Sequence, residues 1–143
     1  MYYKFFNIPM IKSLLKQAKV IPIAGAKENL TLMNKAFETI SEEIKEGNAI
    51  CIFPEGQLTS DGQLAPFRPG VEKILAENPV PVIPVTIEGL WGSIFSRKKE
   101  KEKIHRRFVT VTFFPPLQAS DVSCQQLEKF YGAKLGAQKT VII

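Results

Sequence analysis

Two cysteines and a single histidine are all the thiol and imidazole groups in 143 residues. Cys51 and Cys124 cannot make a disulfide framework, so a reduced, cytosolic setting is the simplest reading. No apolar run approaches the ~18 residues that a spanning helix needs, so the chain is expected to lie on a membrane and not to cross one. The N-terminus lacks an apolar stretch followed by a small-residue cleavage site, which argues against a secretory signal. Gly56 and Gly62 are not followed by a Lys-Ser/Thr pair, which excludes a phosphate-cradling P-loop. No recognised nucleic-acid motif is present, and no nucleic-acid partner is expected. There is no internal repeat and no low-complexity segment.

What is present suits one folded domain over residues 1–143. A chain of this size buries roughly 70% of its unfolded surface, and 45% of its residues are apolar. The net charge of +5 favours an anionic partner. Residues 1–18 mix Tyr2, Tyr3, Phe5, Phe6, Ile8, Met10, Ile11, Leu14 and Leu15 with Lys4, Lys12 and Lys16, and are expected to meet a membrane interface or to pack as core. Ile11, Leu14, Leu15 and Ala18 have helical spacing after Pro9. Lys19–Ala24 reads as a short strand broken by Pro22. Thr31–Glu46 is the clearest helix, with Met33, Ala36, Phe37, Ile40 and Ile44 on one stripe and Gly47 as the stop. Ala49–Phe53 reads as a buried strand, with Cys51 an inert thiol within it. Gly70–Glu77 is a short helix with Val71, Ile74 and Leu75 inward. Val80–Ile87 is a strand whose Pro81 and Pro84 suggest an edge, a bulge or a functional bend. Phe108–Phe114 is the last strand. Ser123-Cys124-Gln125-Gln126 fits a capping box that opens a final helix to about Leu135. Helix and strand alternate in short order, which predicts an α/β fold with a mostly parallel central sheet flanked by helices.

The segment after Phe53 concentrates the unusual chemistry. Pro54-Glu55-Gly56-Gln57-Leu58-Thr59-Ser60-Asp61-Gly62 places glycines, a hydroxyl and a carboxylate on one loop. Gly56 permits close backbone approach, and unpaired N–H groups on such a loop can face a phosphate or an oxyanion. Thr59 adds a hydroxyl donor. Glu55, an acceptor only when ionised, would orient a hydroxyl or hold a cation. From residue types alone, an ordinary polar turn is the better explanation of the loop.

The string Phe-Pro-Glu-Gly-x-x-Thr-x-x-Gly resembles the substrate loop of the glycerophospholipid acyltransferases, the lysophosphatidic acid acyltransferase family. Lys19-Val20-Ile21-Pro22-Ile23, Phe67-Arg68-Pro69-Gly70 and Val82-Ile83-Pro84-Val85 with Glu88-Gly89 fall in the order and spacing of that family's other motifs, so the likeness runs from about Phe5 to Arg97. The resemblance implies transfer of a fatty acyl group from acyl-CoA or acyl-carrier protein to a lysophospholipid or glycerol phosphate. It assigns the acceptor to Phe53, Pro54, Glu55, Gly56, Thr59 and Arg68, and the donor's border to the strand containing Pro84. It implies no cofactor and no metal. The expected location is the cytoplasmic face of a membrane, peripherally bound.

Two departures from the family pattern matter. An arginine two places after the motif glycine is common in the family; here that place is Leu58, which leaves Arg68, Lys19 and Lys27 as candidate cations for the acceptor phosphate. The family's general base is a His-x-x-x-x-Asp motif. The one histidine here is His105, and the residue five places on is Thr110. The chain is therefore expected to be the later part of such a domain and inactive alone; general-base catalysis contributes about 10²–10⁴ in rate. His105 lies among Lys101, Lys103, Arg106 and Arg107 and reads as a solvated surface residue. Between Arg97 and Arg107 stand seven basic and two acidic residues, preceded by Trp91, Ile94 and Phe95. That arrangement suits an anionic membrane surface. The alternative reading is a non-catalytic module that binds anionic phospholipid or a protein partner through the same surfaces.

Overall fold

In a computed structural model, the described residues are 3, 9–25, 27–57, 63–89, 108–134 and 139–142. They belong to two compact units, Met1–Ala49 and Ile50–Ile143.

Among the described residues, the first unit has two α-helices. Pro9–Gln17 (α1) starts on its proline, whose missing N–H is no loss in a first turn. The chain leaves it through Lys19, at φ 49°. The N–H of Val20 donates to the Leu15 carbonyl (3.0 Å) and that of Lys19 to Lys16 (3.1 Å). This is a Schellman-type end with lysine where glycine is usual. The strand expected at Lys19–Ala24 does not form; the Ile23 carbonyl instead accepts the N–H of Tyr3 at 3.1 Å.

Leu30–Lys45 (α2) lies within a residue of the predicted span at each end. The Asn29 side chain caps it by accepting the Leu32 N–H at 2.9 Å. Ala36, Phe37 and Ile40 are buried, with Met33 and Ile44 partly so, as the apolar stripe requires. Gly47 stops the helix at φ 81°. Paired bonds from Gly47 to Ile44 (3.0 Å) and Asn48 to Glu43 (2.9 Å) satisfy its last carbonyls.

Among its described residues, the second unit has two α-helices and a three-stranded sheet. Gly70–Glu77 (α3) buries Val71, Ile74 and Leu75, the three residues predicted. The strands are Pro84–Glu88 (β1), Thr110–Phe113 (β2) and Lys139–Ile142 (β3), with Cys124–Lys134 (α4) between the last two. A one-turn 3₁₀ helix at Ala119–Asp121 precedes α4. The Ser123 side of the expected capping box forms: its hydroxyl accepts the Gln126 N–H at 3.1 Å.

The sheet is not parallel, contrary to the α/β reading of the sequence. Its order is β2-β1-β3, and β1 pairs antiparallel with both neighbours, Val85 opposite Phe113 and Val141. The strand–helix–strand run from β2 through α4 to β3 does set those two strands in the same direction. It straddles β1, however, so they never pair. The mixed α/β composition stands; the predicted parallel centre does not.

The prolines take another place than expected. β1 is the middle strand, but Pro84 is its first residue, where a missing N–H breaks no ladder. Its carbonyl accepts the Phe114 N–H at 2.9 Å. Just upstream, Val82 bridges Leu117 through bonds of 2.9 and 2.8 Å.

The core of this unit is Phe67, Val71, Leu75, Val82, Val122, Leu127 and Tyr131. Tyr131 is wholly enclosed, its hydroxyl accepting the Val85 N–H at 3.1 Å. Phe67 and Phe130 meet its ring edge-to-face, with centroids at 5.8 and 5.2 Å. Burial pushes the Tyr131 phenol up to about 12, partly offset by the Val85 N–H bond.

Candidate functional site

The buried strand expected at Ala49–Phe53 is absent. Residues 49–53 form no strand element; Ile52 packs partly against the core, while Cys51 and Phe53 are exposed. The sheet consists of β1 flanked by β2 and β3, and residues 49–53 do not join it. Cys51 is thus not an enclosed thiol, although partial burial raises its pKa.

The turn that follows is built as a lock. The Gly56 N–H closes on the Phe53 carbonyl at 3.0 Å, with Gly56 at φ 63°. Pro54 and Glu55 are buried, Glu55 to 6% exposure. A carboxylate so enclosed needs a donor. It has one: Glu55 Oε2 accepts the Ala65 N–H at 3.0 Å. A second tie runs beside it, from the Arg68 N–H to the Pro54 carbonyl at 2.9 Å.

Arg68 lies across this turn. Its Nε–H donates to the Glu55 carbonyl at 3.4 Å. A Cβ on Gly56 would stand 2.6 Å from Arg68 Cδ and 2.8 Å from Nε. Only glycine combines the left-handed backbone with so close a side chain. The arginine itself is exposed, so a guanidinium is presented at the surface from an anchored stem.

The stem is held from α3 and α4. Glu128 Oε1 accepts the Phe67 N–H at 2.6 Å. Glu72 Oε1 accepts the Cys124 N–H at 2.7 Å, at the first residue of α4. Cys124 Sγ–H donates to the Arg68 carbonyl at 3.4 Å. That bond needs a protonated thiol, and the surroundings provide for it: burial, then Glu72 and Glu128, push Cys124 up to about 11.

The structure therefore brings together Pro54, Glu55, Gly56 and Arg68, with Phe53 exposed at the entry to the turn. Thr59 lies outside the described residues, as do Trp91, Ile94, Phe95, His105 and the Arg97–Arg107 run. Pro84 is fully buried at the head of β1. Lys19 and Lys27 are exposed residues of the first unit. Glu72, Glu128 and Cys124, which fasten Arg68 and its neighbour, carried no sign in the sequence beyond the capping box around Cys124. Their partners are about fifty or sixty residues away along the chain, beyond what local patterns disclose.

The family model described as Acyltransferase matches residues 1–88. A probable 1-acyl-sn-glycerol-3-phosphate acyltransferase of Mycoplasma pneumoniae is 33% identical over 81 residues, covering 56% of this chain and 30% of that protein. The 1-acyl-sn-glycerol-3-phosphate acyltransferase BAT2, chloroplastic, of Brassica napus is 32% identical over 95 residues, 61% of this chain and 26% of its own length. The chloroplastic LPAT1 enzyme of the same name from Arabidopsis thaliana is 28% identical over 125 residues, 85% of this chain and 33% of its own. The chain thus spans between about a quarter and a third of the length of these curated relatives. No solved structure is significantly similar.

Proposed function

The chain belongs to the Acyltransferase family, and from that footing we propose that its Pro54–Gly56 turn and Arg68 hold the phosphate of a glycerol-phosphate or lysophospholipid acceptor. The observation that carries this reading is the Arg68 guanidinium, seated over Gly56 and tied to the Glu55 carbonyl at 3.4 Å. The guanidinium fork matches phosphate oxygens, and a charge-assisted bond is about twice as strong as a neutral one. Arg68 supplies the cation that Leu58 does not. Phe53 offers an apolar wall, and Thr59 a hydroxyl. Pro84, being enclosed, contributes by setting the start of β1 and not by touching a donor.

In the reaction this reading assigns, the acceptor hydroxyl attacks the thioester carbonyl of acyl-CoA or acyl-carrier protein. The C–O bond forms, the C–S bond breaks, and the thiol leaves with the proton the hydroxyl gives up. The proton needs a base, and these 143 residues contain no histidine followed five places on by aspartate. The chain alone is accordingly an acceptor-binding part without turnover.

The membrane surface is the proposed setting, approached from the cytoplasmic side. Among the described residues no helix is long and apolar enough to cross a bilayer. Phe108 is 93% exposed and Phe113 63%, with Val109 and Val111 half exposed between them. This apolar stretch, which runs into β2, follows directly on the basic run that ends at Arg107. Apolar side chains beside clustered cations suit anionic lipid, at about 1 kcal/mol per basic residue near the surface. The same stretch favours the second reading, a lipid-binding module without acyl transfer.

Calorimetric titration separates the two. A 1-acyl-glycerol 3-phosphate below its micelle concentration should bind the wild-type chain, and the matching monoacylglycerol should not. Arg68→Ala should abolish the difference. Equal binding of both lipids, or no effect of Arg68→Ala, would leave only the lipid-surface module.

A further inference from the structure

Glu55 is the one buried carboxylate among the described residues, at 6% exposure, and it faces backbone on both sides. Its side chain accepts the Ala65 N–H at 3.0 Å, from the far end of the loop. Its own carbonyl accepts the Arg68 Nε–H at 3.4 Å. One residue therefore closes the base of the loop and fixes the stem of the exposed guanidinium. A carboxylate whose oxygen is committed to a backbone N–H inside the fold is poorly placed to orient a substrate hydroxyl, the role its residue type suggested. Its neighbours agree: Pro54 takes the Arg68 N–H at 2.9 Å, and Gly56 leaves no room between the turn and Arg68 Cδ.

The geometry points to Glu55 as a positioning residue: by clasping Ala65 through its side chain and Arg68 through its backbone, it sets where the guanidinium meets a phosphate monoester. This inference rests on the acceptor-binding reading of Arg68 above. It differs from that reading in needing no contact between Glu55 and the ligand. A hydrogen-bond acceptor is required at the end of the side chain; a negative charge is not. Glutamine keeps a carbonyl oxygen there and alanine does not.

Two measurements on the full chain test it. In the ligand-free protein, the Arg68 Nε–H resonance should be sharp and slow to exchange in wild type and in Glu55→Gln. It should broaden and exchange at least about tenfold faster in Glu55→Ala, as ordering is lost. Glycerol 3-phosphate is then titrated. Glu55→Gln should bind within about threefold of wild type, whereas Glu55→Ala should bind about tenfold or more weakly, one lost charge-assisted contact being worth roughly that factor. Ala65→Pro removes the N–H donor and leaves Glu55 untouched; it should copy Glu55→Ala, and it keeps the test sound if Glu55→Ala fails to fold. Wild-type affinity in both Glu55→Ala and Ala65→Pro would overturn the clasp. So would Glu55→Gln binding as weakly as Glu55→Ala, because charge would then be what matters. If wild type itself ignores glycerol 3-phosphate, the acceptor reading falls, while the Nε–H measurement still decides whether the clasp exists.

Discussion

Gly56→Ala probes the turn and the guanidinium together. The residue sits at φ 63°, in the left-handed region where an L side chain costs about 1–2 kcal/mol. Its new Cβ would stand 2.6 Å from Arg68 Cδ and 2.8 Å from Nε, so the arginine must swing away. That movement breaks the bond to the Glu55 carbonyl, worth about 0.5 kcal/mol at its length. The sum is about 1.5–2.5 kcal/mol, or roughly 5–10 °C in Tm. Gly47→Ala is the control: Gly47 also has a positive φ, 81°, but nothing within 4 Å of the added methyl. It should cost the backbone share alone, about 1–2 kcal/mol, with phosphate binding untouched. Gly89→Ala bounds the other side, since its Cβ would collide with the Phe108 carbonyl oxygen and backbone cannot swing aside. Urea unfolding followed by circular dichroism, with glycerol 3-phosphate titration on each folded variant, reads all three. If Gly56→Ala binds phosphate as wild type does, Arg68 is not the ligand held by this turn.

Further outcomes are expected. Tyr131, raised to about 12 from 10 by burial, is neutral in the fold where the unfolded chain would ionise. Between those values the unfolded state binds fewer protons, so stability is intact below pH 10 and falls as pH rises through 12; Tyr131→Phe should lose this alkaline step in urea titrations at stepped pH. The same change should cost about 1–3 kcal/mol at pH 7, by stranding the Val85 N–H. Leu127→Ala, at a site 1% exposed, should cost about 2–5 kcal/mol in chemical unfolding. Ser123→Ala should cost about 1 kcal/mol by removing the hydroxyl that caps α4. The purified chain should give no acyl transfer above background with acyl-CoA and lysophosphatidate; turnover would refute its inactivity alone.

The helices were legible because their signals are local. Apolar residues at steps of three and four mark α2, and Gly47 and the Ser123 box mark ends that the structure reproduces. The sheet was not, because direction depends on which strands meet, and neighbours in space here are distant in sequence: Val85 pairs with both Phe113 and Val141. The tail that forms β3 is only four residues long, too short for a clear alternation to announce it. Pro84 suggested an edge strand because proline lacks a donor, yet a strand's first residue needs none. At the candidate site, the motif string identified Pro54, Glu55 and Gly56 as a group. What those residues do required coordinates, since Glu55 turns inward to Ala65 and Arg68 comes back over Gly56 from twelve residues downstream.

The acceptor site is tested most directly by mapping backbone amide shifts while a short-chain lysophosphatidate is titrated into the wild-type chain. The account predicts saturable shifts concentrated at Gly56, Gln57 and Arg68, absent with the phosphate-free glyceride. Shifts confined to the exposed β2 strand, with the Gly56 and Arg68 amides unmoved, would contradict it.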